Sequence, residues 1–503
     1  MARSTRRQPP QSQPRVTGNV DVGSLRPADA ATPARSPSRP RLVAQVLRPG
    51  RAFVPAAAPD TNPPRAPIPN PVATSPIDAN GLARGCRVPS SLRITGPGFN
   101  EEVGGVIPSW VEATPTPNAR PDGQARFVEG VLTESHISGT DFPFKPWHEY
   151  YDWNYIVRPD PQYQNLLSVA NRGVLECEWD TRYLPSYAWA QRGQRVWILG
   201  RWIFDCGHPS ANGYRTEIHP PKAVVAFRSE AVKFFGNPGP TRATVASIYI
   251  GRRDTYITTN INDQNYEFNV ALPPRPFSTA TPRVLVRSMT GVLPVNPFVS
   301  ALPSPANARW LNVQVPLKGI VPQPNEYGLV VSAGWDDRDG KEAKKVIKRR
   351  VTIETIFMDA NLDPIFRDEW YVYVCINGRW KAFESLSGAS RKLNYSVDLD
   401  LHPTDKVTIS ACGFEADTAH DLMGKASGVS PIRVSAASSN TQASSVAAQI
   451  RNAFLSGLTA GIPDENDSIS RLFVQHAASD TGTFRVRPNA RDYRLQYVIS
   501  DRN

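Results

Sequence analysis

The chain reads as mainly β: two tandem antiparallel β-sandwich domains after a disordered Pro/Arg-rich N-terminal arm, with short helices near the C-terminus. Three observations predict this. Between residues 85 and 330, short runs of β-branched and aromatic residues alternate with Pro, Gly and Asn, the signature of strands separated by turns. No helix-length amphipathic segment interrupts those runs. Residues 1–75 hold eleven Arg, three Asp and no Lys or Glu, so they supply +8 of the chain's +11.

The arm spans residues 1–80. Segments such as RSTRRQPPQSQPR and TPARSPSRPRLVAQVLRPGR are poor in aromatics and lack periodicity. They cannot bury enough apolar area to offset the entropy of ordering, which predicts disorder. The charge suits a solvated tail, an arm that binds nucleic acid by neutralising phosphates, or an address for an organelle or a specialised secretion machine.

The first β domain, residues 81–330, is carried by runs such as RVWILGRWIF (195–204), KAVVAFR (222–228), ATVASIYIG (243–251), YEFNVAL (266–272) and WLNVQVPL (310–317). Their spacing predicts a sandwich or barrel. The second domain, residues 331–503, opens with KKVIKRRVTIETIFM (344–358) and WYVYVCI (370–376). Asn377-Gly378 is a strong hairpin signal, and NYSVDLDL (394–401) and KVTISACGF (406–414) continue the unit. A helical insertion is expected over 436–460, a short second helix over 465–475 and a last strand over 493–500.

Composition excludes several classes. No apolar run approaches the roughly 18 residues a membrane-spanning helix needs. The N-terminus lacks the apolar region of a classical signal peptide, leaving a cytoplasmic location and non-classical export both open. Five scattered cysteines argue against a disulfide framework. Phosphate-binding loops, nucleophile elbows and dinucleotide fingerprints are absent.

Four of the seven histidines fall between His136 and His219, each with carboxylates close by. Strand residues two apart share a face, and Asp152/Asn154, Glu176/Glu178, Cys206/His208 and Glu217/His219 have that spacing. Imidazole nitrogen with carboxylate oxygen is the donor set of catalytic Zn, Mn or Fe sites. A bound metal acidifies water and polarises an ester, amide or phosphoryl oxygen. The ligand set expected is His148, Asp152, Asp205, His208, Glu217 and His219, with Asn154 and His136 supporting the ligands or touching substrate. Glu178 is the candidate general base. The window contains no tight zinc signature such as H-E-x-x-H or paired C-x-x-C. A structural polar network packed among Trp147, Trp153, Trp179, Trp197 and Trp202 fits the same residues.

The phrases GRWIFDCGH (200–208) and TEIHPP (216–221) resemble blocks in uncharacterised bacterial β-rich proteins over about residues 130–230, a resemblance that implies no activity. Residues 349–374 (VTIETIFMDANLDPIFRDEWYVYV and its flanks) are similar to the opening of a C2 domain: a strand, an acidic loop, then an acidic–aromatic strand. That similarity points to calcium, with Asp359, Asn361, Asp363 and Asp368 as ligands and Asp336 and Asp337 next. The familiar Ser-Asp-Pro-Tyr element is absent, so calcium-dependent membrane docking does not follow. Asp and Asn are also ordinary turn residues.

Three readings follow: a metal-dependent hydrolase with a second binding module; a non-enzymatic binding or structural protein, including a virus coat-like protein whose basic arm neutralises nucleic acid; and an exported effector. Substrate and oligomeric state are not encoded in any motif.

Overall fold

The computed structural model describes residues 42–43, 110–113, 125–137, 152–181, 183–205, 215–253, 259–290, 293–302, 308–359, 369–386, 388–416, 468–489 and 491–502. They are mainly β, in four sheets. The first lobe holds β1 (Leu42–Val43), β2 (Trp110–Glu112), β3 (Ala125–Ile137), β4 (Asp152–Pro159), β5 (Leu175–Asp180), β6 (Arg195–Asp205), β7 (Thr216–Val232), β8 (Thr241–Gly251), β9 (Tyr266–Ala271), β10 (Pro282–Ser288), β11 (Phe298–Leu302), β12 (Trp310–Val315) and β13 (Glu326–Trp335). The second holds β14 (Ile347–Met358), β15 (Glu369–Ile376), β16 (Arg379–Leu386), β17 (Ser390–Leu401), β18 (Lys406–Ala416), β19 (Ser468–Ala477), β20 (Gly482–Val486) and β21 (Tyr493–Asp501).

In the first lobe β3, β4, β5, β7 and β6 pair in a closed ring, because β7 meets β5 on one side and β6 on the other. The seventeen-residue β7 stays paired with β6 through Phe227 while its other edge passes from β5 to β8, which it pairs along Ala223–Val232, extending the sheet through β13 and β10. The three-stranded sheet β11-β12-β9 packs over that extension, with Ile248, Phe268, Leu311 and Leu329 in the sandwich core. The switch occurs at Gly200, where the β6–β7 register shifts. A Cβ there would stand 2.5 Å from Pro220 O and Pro221 Cα, so only glycine permits the approach.

The expectation of purely antiparallel sheets is corrected at one point. β5 and β7 run parallel, with Glu176 beside Glu217 and Cys177 beside Ile218. Parallel partners need a long crossover, and a pattern of local runs carries no signal for one.

The second lobe is a sandwich of two four-stranded sheets, β17-β14-β21-β20 and β16-β15-β18-β19, around Val351, Ile353, Trp370, Val374, Ile409 and Tyr497. Asn377 and Gly378 both take positive φ, 47° and 75°, as a two-residue hairpin turn requires. The helix expected over 465–475 is replaced by β19. A bulge there sets Ile469 opposite Gly413 and Leu472 opposite Ala411, so two apolar residues three apart both reach the core and imitate a helical period. The helix expected over 436–460 lies outside the described residues, as does the arm apart from Leu42–Val43, which pair with β10.

The outer face of β15, β16 and β18 docks on the ring. Trp153 stacks on Trp189 with centroids 4.2 Å apart and meets Trp380 edge-on at 4.8 Å. Gln191 ties the junction: its Nε2 donates to Ser410 Oγ (2.8 Å), and its Oε1 accepts from Gly378 N (3.0 Å) and Thr408 Oγ1 (2.8 Å). Cys177, Cys375 and Cys412 are buried free thiols.

Candidate functional site

Alternation along three ring strands builds the site. Tyr155, Cys177, Trp179 and Ile218 turn into the aromatic core. Asn154, Glu176, Glu178, Glu217 and His219 therefore turn to the opposite face. Asn154 lies across from Glu178, and Asp152 across from Asp180. The parallel pairing carries the face onto β7 through Glu176 and Glu217.

The start of β7 is held by Asn171, which ends a short 3-10 turn and is 4 % exposed. Its Oδ1 accepts from Thr216 N (2.9 Å) while its Nδ2 donates to Thr216 O (2.8 Å), as a strand partner would. Thr216 Oγ1 donates to Leu166 O at 2.6 Å. Glu217 thereby leaves a fixed backbone.

Glu178, Glu217 and His219 each offer one ligand atom, and these atoms lie within 4.8 Å of one another. His219 Nδ1 is 3.5 Å from Glu178 Oε2. Arg215 reaches Glu176 at 3.0 Å, Asp205 at 3.5 Å and Glu217 at 3.9 Å. Asn154 Nδ2 donates to Glu176 Oε1 at 2.7 Å, and Asn154 Oδ1 is buried with no protein partner. Glu217 is only 3 % exposed. Burial first, then the charges of Asp205, Glu176 and Glu178, push its carboxyl well above the usual range, against the pull of Arg215. Burial works against the charge on Arg215, but the surrounding carboxylates raise its pKa.

Among the described residues, four carboxylates thus gather near one guanidinium and one imidazole. The protonated Glu217 is the neutral solution to that crowding, and a divalent cation is the alternative. Two carboxylate oxygens and one imidazole nitrogen suit Zn, Mn or Fe. Glu178 and His219 keep side-chain exposures of 20 % and 16 %, so the triad is reached from outside while Glu217 is not.

The expected residues distribute as follows. Glu217 and His219 converge, Glu178 joins them as a third donor, and Asn154 orients Glu176. Asp205 reaches the group through Arg215. Asp152 faces Asp180 two register positions further along β4 and β5, beyond the Trp153–Trp179 pair. His136 lies opposite Asn154, and its Nε2 is 2.9 Å from Arg471 Nη2 of β19. Arg471 also pairs with Glu134. Burial lowers the His136 pKa to about 4, so its imidazole is neutral and Arg471 donates to it. His148 and His208 lie outside the described residues.

Arg215 and Glu176 were missing from the expected set. Arg215 stands two residues before Glu217, the same i/i+2 spacing that marked the others. Arg471 carried no such signal.

Three calcium candidates are described, and each is engaged by the protein itself. Asp336 accepts from Thr281 N (2.7 Å) and Thr281 Oγ1 (2.9 Å). Asp337 Oδ2 accepts from Glu342 N (3.0 Å) and Ala343 N (2.9 Å). Asp359 is held by Arg494 at 2.7 Å. Asn361, Asp363 and Asp368 lie outside the described residues.

The chain matches no protein-family model and no curated protein. Among solved structures it is similar to the SMP–C2A–C2B portion of extended synaptotagmin 2 at 11 % identity and a TM-score of 0.18, over 61 % of this chain and 53 % of that one. It is also similar to human GIVD cytosolic phospholipase A2 at 11 % identity and a TM-score of 0.16, over 75 % of this chain and 32 % of that one. The chain therefore spans about half of the first and a third of the second, and neither likeness assigns an activity. No described helix is long and apolar enough to cross a membrane.

Proposed function

We propose that the protein is a metal-dependent hydrolase whose divalent transition metal is held by Glu178, Glu217 and His219. The observation that carries the proposal is the convergence of two carboxylates and an imidazole within 4.8 Å, from adjacent strands. When bound, such a metal acidifies a water and polarises an ester, amide or phosphoryl oxygen. Glu176, steadied by Asn154 and Arg215, is placed to accept a proton at its carboxylate. Arg215 offers positive charge to an oxyanion developing beside it. The second lobe serves as a substrate or partner module.

The rival is a structural network in which Arg215 is the only counter-ion the cluster requires, favoured by its reach to three carboxylates. Elemental analysis of the purified full chain, with zinc and manganese titrations, separates the two. The hydrolase reading expects about one equivalent of metal and at least roughly tenfold weaker binding in His219→Ala. Less than about a tenth of an equivalent after reconstitution overturns it.

A further inference from the structure

We propose that the junction of β7, β10 and the β15–β16 hairpin binds a small, doubly charged oxyanion, with inorganic phosphate as the simplest occupant. Three guanidiniums meet there around one carboxylate. Arg287, Val330, Ser247 and Ala226 form a row across β10, β13, β8 and β7. Arg228 shares that face, and its Nη1 donates to Ser247 Oγ at 2.6 Å. Arg379 arrives from the second lobe as the first residue of β16. Glu230 accepts from Arg228 Nε at 2.6 Å and pairs with Arg379 Nη2 at 3.0 Å.

The hairpin is shaped for this approach. A Cβ on Gly378 would stand 2.8 Å from Gln194 Nε2 and 3.1 Å from Arg228 Cδ. Glycine at its positive φ lets Arg379 come in beside Arg228.

The charges leave an excess of two positives. Glu230 is the sole carboxylate among the groups acting on Arg287, whose pKa falls through burial and then through Arg228 and Arg379, despite Glu230. Burial raises the Glu230 carboxyl, but Arg228, Arg379 and Arg287 together hold it below the usual range. Nearby Asp405 is occupied by Arg242 at 3.2 Å, Ser229 at 3.0 Å and the His402 N–H at 2.9 Å.

Two donors point to a ligand independently of charge. Arg287 Nε and Arg379 Nη1 are buried and have no protein partner, although buried donors are almost always satisfied. Beside this cluster, a cavity of about 80 Å³ is bordered by Glu230, Ala231, Asn377 and Arg379, with Arg228 and Arg287 behind Glu230 rather than in its lining, room for a small tetrahedral ion or a few waters. Its acidic edge, Asp398 and Asp400, is neutralised by Arg350 (2.7 Å) and Arg502. Planar guanidinium forks match the oxygens of phosphate. Because Arg379 belongs to one lobe and Arg228 and Arg287 to the other, the bound ion ties the lobes together.

The test is thermal unfolding and calorimetric titration of the full chain with sodium phosphate, against sodium chloride at equal ionic strength. The proposal expects saturable binding that stabilises the wild type, and roughly tenfold weaker binding in both Arg379→Gln and Arg287→Gln. Arg379→Lys, which keeps the charge but loses the fork, should fall between wild type and Arg379→Gln. Arg485→Gln, on β20 and bonded to Gln496 away from the cavity, should bind as wild type does. A phosphate effect that is absent, does not saturate, or persists unchanged in Arg379→Gln and Arg287→Gln is general salt behaviour and overturns the proposal.

Discussion

Replacing Glu217 by glutamine isolates the electrostatic strain of the carboxylate cluster. Glu217 is buried, and its carboxyl is pushed well above the usual 4.5. A carboxyl whose folded pKa exceeds its unfolded value binds its proton more tightly in the fold. Its stabilisation is therefore complete below about pH 4.5 and is lost as pH climbs to the folded pKa. Each pH unit inside that window removes about 1.4 kcal/mol, and each kcal/mol lowers the melting temperature by about 2–4 °C for a lobe of this size. Glutamine keeps the shape and cannot ionise. Metal-free Glu217→Gln should therefore match the wild type near pH 4.5 and melt at progressively higher temperature than the wild type as pH rises toward the folded pKa. Saturating metal should reverse the order, because only the wild type keeps the ligand. The assay is differential scanning calorimetry across pH with and without chelator. Parallel wild-type and variant curves in chelator would refute the claim that Glu217 carries the strain.

His136 titrates the opposite way. Its folded pKa of about 4 lies below the ordinary 6.5, so protonation opposes folding as pH falls through that interval, by up to about 3 kcal/mol. His136→Gln should flatten the acid limb of a stability–pH curve from urea melts. Asn171→Ala removes the pair of hydrogen bonds on Thr216 and should cost about 1–3 kcal/mol, with a loss of metal affinity measured by competition with a chromophoric chelator. Gly200→Ala drives a methyl to within 2.5 Å of the Pro220–Pro221 backbone; a loss of about 1–3 kcal/mol or more in denaturant melts is expected, and an unchanged midpoint would deny the close approach.

The class of fold was legible because strand patterning is local: the runs at 195–204, 222–228 and 243–251 each fall within β6, β7 and β8. Which strands pair was not. The polar pairs at 176/178 and 217/219 could be placed on a face by counting. Nothing within 30 residues of either signals that β5 and β7 lie side by side in parallel, and that pairing turns two pairs into one cluster. Arg215 has the same spacing of two before Glu217, but a guanidinium is no metal ligand and so carries no signal of that chemistry. Arg471 reaches His136 from 335 positions away, a distance at which spacing says nothing. The helix read into 465–475 shows the complementary failure, because a bulge gives a strand the spacing of a helix.

β7 links the ring and the extended sheet of the first lobe and touches the second lobe. Thr216–Ile218 lie in the ring, Ala223–Val232 build the sandwich, and Ser229 and Glu230 hold Asp405 and Arg379 of the second lobe. A strand shared in this way leaves no seam along which one part can melt while the others persist. Folding should be all-or-none across the ring and sandwich of the first lobe, with β7 amides exchanging only when both open. The wider consequence is evolutionary: the ring and the sandwich of the first lobe cannot be separated, shuffled or duplicated without dividing this one strand.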